Sequence, residues 1–87
     1  MLSIRTQDRM ALVPYDSAIT IVASYKDGKI ENKMCELIMP YRISYMVLGT
    51  YTTKERALEV LDEIQNKHQY CNSEYTVTNE VYNMPKE

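Results

Sequence analysis

Gly49-Thr50-Tyr51-Thr52-Thr53-Lys54-Glu55-Arg56-Ala57-Leu58-Glu59-Val60-Leu61-Asp62-Glu63-Ile64-Gln65 decides the fold. Thr52 and Glu55 have the spacing of a capping box. A hydroxyl at the N-cap and a carboxylate three residues on would each satisfy a backbone donor left free at a helix start. Ala57, Leu58, Leu61 and Ile64 then recur at helical spacing, with Val60 flanking the stripe. Glu55, Glu59, Asp62 and Glu63 fall on the opposite, wet side, and Glu63 precedes Lys67 by four residues, the favourable order for an ion pair. The pattern predicts one amphipathic helix that fades near Lys67 and His68.

Around that helix the chain reads as strands. Leu2 to Thr6 is a short extended run, and Ala11-Leu12-Val13 is another that stops at Pro14, which cannot donate to a ladder. Asp16-Ser17 is a turn signal. Ala18 to Tyr25 alternates with period two, with Ile19, Ile21, Ala23 and Tyr25 on one face. Asp27-Gly28 follows it, and Asp-Gly between extended runs marks a hairpin. That pairs Ala18–Tyr25 with Ile30–Met39. Pro40, Tyr41 and Arg42 interrupt the chain, and Ile43 to Tyr51 resumes it with Ile43, Tyr45 and Val47 on one face and Met46 and Leu48 on the other. Apolar residues on both faces suggest a central strand or an oligomer contact. Gly49 marks a bulge or a close backbone approach. Glu74 to Tyr82 alternates again and reads as a last strand, antiparallel to a neighbour or on an edge. The expected fold is α+β: one antiparallel sheet of five to six short strands covered by one helix, in a single domain over residues 1–87.

Composition bounds the function. At 87 residues the domain buries only roughly 60–65% of its unfolded surface, so a homo-oligomer is expected. The net charge is −2 with both signs dispersed, which disfavours a nucleic-acid partner. No apolar run is long enough to span a bilayer and the first residues lack a signal-peptide core, so a cytoplasmic protein without a membrane partner is expected, its cysteines reduced. There are 8 tyrosines and no Phe or Trp. The core is therefore expected to be aliphatic, with tyrosines at its margins or on a binding surface.

Candidate chemistry is sparse. His68 and Cys71 stand three apart and form the one conceivable nucleophile–base pair, with no third orienting group implied. With Cys35 they fall short of zinc-ligand spacing, and two glycines do not make a phosphate loop. No cofactor and no enzymatic activity are expected. Binding remains. Arg5, Gln7 and Arg9 crowd polar groups together, and Tyr41-Arg42 sets an aromatic ring beside a guanidinium. Lys54 and Arg56 sit in the first helical turn, where cations oppose the macrodipole but free N–H groups suit an anion.

Ile4-Arg5-Thr6-Gln7-Asp8-Arg9, the stretch from Leu48 to Gln65, and Val81-Tyr82-Asn83-Met84-Pro85 together resemble a family of small uncharacterised proteins of phages, prophages and the low-GC Gram-positive bacteria that carry them. The resemblance implies a mobile-element origin, action inside a host cell and a strand–helix–strand layout, and it supplies no catalytic residue. The first expectation is a non-enzymatic oligomer that sequesters a nucleotide-like immune signal and so blocks host defence. Arg5, Gln7, Arg9, Tyr41 and Arg42 would make the contacts, with Lys54 and Arg56 in reserve. The second is an inhibitor or adaptor that docks on a host protein through its sheet face or an edge strand.

Overall fold

Helix α1 runs from Lys54 to Cys71 in the computed structural model of the protein. The structure describes the backbone of residues 1–26, 29–73, 76–77 and 79–87, and the side chains of these except in segments 24–33 and 72–78. The cap sits one residue later than the spacing predicts. Thr53, not Thr52, accepts from the Arg56 backbone N–H at 3.1 Å, and its carbonyl receives the Ala57 N–H at 3.2 Å. Residue N3 is then Arg56, which cannot accept a bond in return, so only half a capping box forms. The buried stripe explains the shift. Ala57, Val60, Ile64 and Cys71 face inward, so Val60 is central and Leu58 stands exposed. Cys71 lies on that stripe, and burying it extends the helix past His68. Lys67 turns away from Glu63 and pairs with Glu80.

The strands are β1 (Leu2–Arg5), β2 (Leu12–Pro14), β3 (Thr20–Lys26), β4 (Lys29–Tyr41), β5 (Ser44–Tyr51), β6 (Asn72–Ser73), β7 (Thr76–Val77) and β8 (Glu80–Asn83). The α+β class is as expected, with the strands divided between two three-stranded sheets, β2-β1-β8 and β3-β4-β5, beside a β6-β7 ribbon. The β3–β4 hairpin forms, with Thr20 opposite Ile38 and Lys26 opposite Lys29. Its expected Asp27-Gly28 turn lies outside the described residues, as do the side chains of Tyr25, Tyr75 and Val77. Strand β4 continues through Pro40, which faces Tyr45 on one side. On the other side β3 has already ended at Thr20, so no ladder bond calls on the missing donor.

Two strands resolve alternatives that the sequence leaves open. β5 is an edge strand, and β4 is the central one. β8 lies on the edge of its sheet but runs parallel to β1, with Ser3 opposite Val81 and Arg5 opposite Asn83. The bulge expected at Gly49 is present. Leu37 faces Gly49 and Ile38 faces Val47, leaving Leu48 as the extra residue.

Both sheets share one core with α1. Leu2, Ile4 and Val13 come from the first sheet, Leu37, Met39, Leu48 and Tyr51 from the second, and Met84 closes it from the C-terminal segment. Tyr51 corrects the expectation of marginal tyrosines. It is a core residue, and its hydroxyl donates to the Pro85 carbonyl at 2.8 Å.

Candidate functional site

The Arg5–Arg9 segment is a constructed turn. The Thr6 backbone N–H donates to the Ala11 carbonyl at 3.0 Å, and the Arg9 N–H to the Thr6 carbonyl at 2.9 Å. The buried Thr6 hydroxyl donates to Asp8 Oδ1 at 2.6 Å, and the same oxygen receives the Met10 N–H at 2.9 Å. These bonds, the Thr6 hydroxyl first, hold the Asp8 carboxyl below its ordinary value. Arg9 adopts a positive φ of 68° to complete the turn, and Arg5 Nη1 approaches its carbonyl at 3.4 Å.

Gln7 reaches in the other direction. Its backbone N–H donates to the Leu48 carbonyl at 2.8 Å, and its side-chain oxygen accepts the Thr50 N–H at 2.8 Å. Its amide nitrogen shares its two hydrogens among the carbonyls of Thr50 (3.0 Å), Pro85 (3.1 Å) and Lys86 (2.9 Å). The amide ties the first sheet, the second sheet and the C-terminal segment together, and little hydrogen-bonding capacity is left for a ligand. Arg56 is similarly engaged, through Nε to the Glu87 carbonyl at 2.9 Å and Nη1 to Glu59 at 3.0 Å. Burial pushes the Tyr51 phenol up to about 12, with the Arg56 and Arg9 charges pulling the other way and Glu63 reinforcing it.

Tyr41 and Arg42 stand elsewhere. They occupy the β4–β5 turn, where the Arg42 guanidinium lies 5.3 Å from the Tyr41 ring centroid and Arg42 takes a φ of 57°. That turn and Tyr51 bracket the whole of β5, roughly 24 Å apart at the rise of an extended strand. The seven sequence candidates thus fall into groups at opposite ends of β5, with exposed Lys54 at the helix start.

A further cavity among the described residues lies at neither place. A groove of about 640 Å³ runs between α1 and β8, lined by Glu63, Asn66, Lys67, Tyr70, Val81, Tyr82 and Asn83. The Tyr82 hydroxyl donates to Glu63, and burial, then that bond, raises its phenol pKa. The Lys67 ammonium faces Glu80, whose partnered oxygen is shielded from solvent, and this bond raises the lysine pKa. The groove's other wall is the Val81–Asn83 segment of β8. The Glu80 and Met84 N–H groups donate to Met1 and Arg5 carbonyls, so even-numbered residues of β8 turn their main-chain groups toward β1. By strand alternation Val81 and Asn83 turn theirs outward, away from β1. Among the described residues no strand pairs with that side of β8. Sequence reasoning missed this site. Val81-Tyr82-Asn83 carried the only signal, as an alternating run next to a proline.

The His68 ring stacks on Tyr15 with centroids 3.9 Å apart, and Cys71 is fully buried, its sulfur out of solvent's reach. Among the described residues no group of three or more His, Cys, Asp or Glu is placed to hold a metal, and no helix is long and apolar enough to cross a membrane. Compared with known proteins, the chain matches no family model, no curated protein and no solved structure.

Proposed function

We propose that the protein acts by binding an extended segment of a partner polypeptide, which adds a strand to β8 under the cover of α1. The observation that carries this reading is the open outer edge of β8 facing the α1 groove. Strand addition supplies affinity through main-chain hydrogen bonds and specificity through pockets for alternate side chains. Here the outward N–H and C=O groups of Val81 and Asn83 supply the first. Exposed Tyr70 and the amide of Asn66 on the helix supply the second. Lys67 is already paired with Glu80, which leaves Glu63 as the unbalanced charge of the groove lining, so a guest segment bearing Lys or Arg suits the site.

Capture of a nucleotide-like signal by a phage protein is the competing reading. It requires Arg5, Gln7, Arg9, Tyr41 and Arg42 to converge. They lie at two ends of β5, and Gln7 spends its amide on backbone. A phosphate in the α1–β8 groove would meet the Glu63 carboxylate and an ammonium already paired with Glu80. The protein-partner reading is therefore preferred.

The test uses peptides selected from a random library against the intact protein and measured by titration calorimetry. Asn83→Pro deletes the outward donor while leaving the β1 ladder intact, and Asn83→Ala keeps that donor. Peptide affinity is expected to fall at least about tenfold in the proline variant, one to two lost main-chain bonds, and to change little in the alanine variant. Equal affinity in both would defeat the proposal, as would a library yielding no binder while a panel of cyclic and linear nucleotides does.

A further inference from the structure

We propose that the Ile43–Val47 stretch of the outer edge of β5, short of the part that Gln7 covers at Leu48 and Thr50, pairs antiparallel with the same stretch of a second copy of the chain, about a twofold axis at Tyr45, joining two hairpin sheets into one of six strands. This interface is independent of the α1–β8 groove.

The first observation is which backbone groups are free. Tyr41 and Ser44 close the two-residue β4–β5 turn. Such a closing pair exchanges both of its main-chain bonds, so Ser44 and Met46 face β4. Tyr45 and Val47 turn their N–H and C=O groups to the open side, where no strand pairs among the described residues.

The second is the side chains. Ile43, Tyr45 and Val47 are 106%, 60% and 39% exposed, spaced two apart along one strand end. Natural edge strands are guarded by charges, prolines or bulges. From Ile43 to Thr53 the chain has no charged residue and no proline, and its one bulge, at Leu48, lies beyond this row.

The third is self-complementarity. A twofold contact brings one patch against itself. A register centred on Tyr45 sets Tyr45 opposite its own mate and Ile43 opposite the mate of Val47. No other antiparallel register maps these three exposed positions onto themselves. Aromatic and β-branched pairs of this kind are the favourable cross-strand combinations.

Area is adequate for a modest dimer. The three side chains expose on the order of 400 Å² per copy, taking a tyrosine as roughly 200 Å². Doubling that, and adding the strand backbones and the Pro40–Ser44 rim, reaches the ~1,000 Å² at which specific interfaces begin.

Sedimentation velocity of the full chain from about 1 to about 300 µM tests it, the range expected for an interface this size. A concentration-dependent monomer–dimer equilibrium is expected, weakened at least about tenfold by Tyr45→Lys and by Val47→Lys. Each of these exposed sites should leave the thermal midpoint of the monomer unchanged. In a Cys35→Ser background, Tyr45→Cys is expected to form an interchain disulfide under mild oxidation, because paired strand positions lie within disulfide reach. Ser44→Cys, displaced two residues from its own mate, should not. A monomer throughout the range overturns the proposal. So does a dimer indifferent to both lysines, or one cross-linked equally at 44 and 45.

Discussion

A methyl group added at Gly49 would stand 3.0 Å from the Tyr51 hydroxyl oxygen and 3.2 Å from both Met84 Cε and Tyr51 Cε2. The methionine end can swing, but the tyrosine is fixed by burial and by its bond to the Pro85 carbonyl. Gly49→Ala is therefore expected to cost about 1–3 kcal/mol as overpacking, lowering the melting temperature by roughly 5–15 °C. Tyr51→Phe removes the closest clashing atom, so the double variant should be more stable than the sum of the two single losses. Strict additivity in that cycle would show that the crowding is relieved elsewhere. Asp8 makes a different residue-scale prediction. Its carboxyl is held below the ordinary value of 3.8 by the Thr6 hydroxyl and the Met10 N–H. A depressed folded pKa contributes stability above the unfolded value that disappears as pH falls through the folded one. Asp8→Asn should thus melt lower than the parent at neutral pH, and the two melting curves should converge below the folded-state pKa. A gap that persists undiminished in strong acid would mean that packing, not charge, accounts for the difference.

At the scale of elements, the two adjacent threonines before α1 are distinguishable. Thr53 caps the helix, so Thr53→Ala should cost about 1 kcal/mol. Thr52→Ala, exposed and outside the cap, should stay within ~0.5 kcal/mol. Chemical denaturation of both variants checks the assignment, and a larger loss at Thr52 would restore the capping box. The sequence could not choose between them, because both hydroxyls satisfy the local rule and the choice follows from which stripe is buried. The same division runs through the fold. The β3–β4 hairpin and the helix were legible because alternation, Asp-Gly and apolar spacing are local signals. The parallel pairing of β8 with β1 joins opposite ends of the chain, and nothing within either segment encodes its partner. The division into two sheets and the edge position of β5 follow from that pairing and were hidden with it. The proposed binding site was least legible for the same reason. Arg5, Gln7 and Arg9 have the side chains of ligand contacts, but the use of Gln7 is set by backbone groups from distant segments. The groove exists only once β8 has an open edge.

At the scale of the whole molecule, Gln7 joins what α1 packs together. Its amide spans from the first sheet to the Thr50 backbone of the second sheet and to the Pro85 and Lys86 carbonyls. Gln7→Ala leaves the Thr50 N–H and several carbonyls without this partner, an expected loss of about 2–4 kcal/mol. It should also loosen the coupling between sheets, with amides of β1 and β8 exchanging faster than those of β3 and β4, whereas in the parent all four strands are expected to exchange through one shared unfolding event. Gln7→Glu separates hydrogen bonding from shape. A glutamate retains the oxygen that accepts from Thr50, but its second oxygen faces the three carbonyls that the amide nitrogen satisfied. Ionised, it repels them; protonated, it donates to one. The neutral form is favoured by the fold, so the folded pKa must rise above the ordinary ~4.3. A raised pKa contributes stability below the unfolded value that is lost as pH rises through the folded one. Gln7→Glu should therefore be no more stable than Gln7→Ala at pH ~7 and more stable than it near pH ~4, where its carboxyl is protonated. If both variants keep the same ranking across that range, the carbonyls are not held by a donor at position 7, and the joint between the sheets rests on α1 alone.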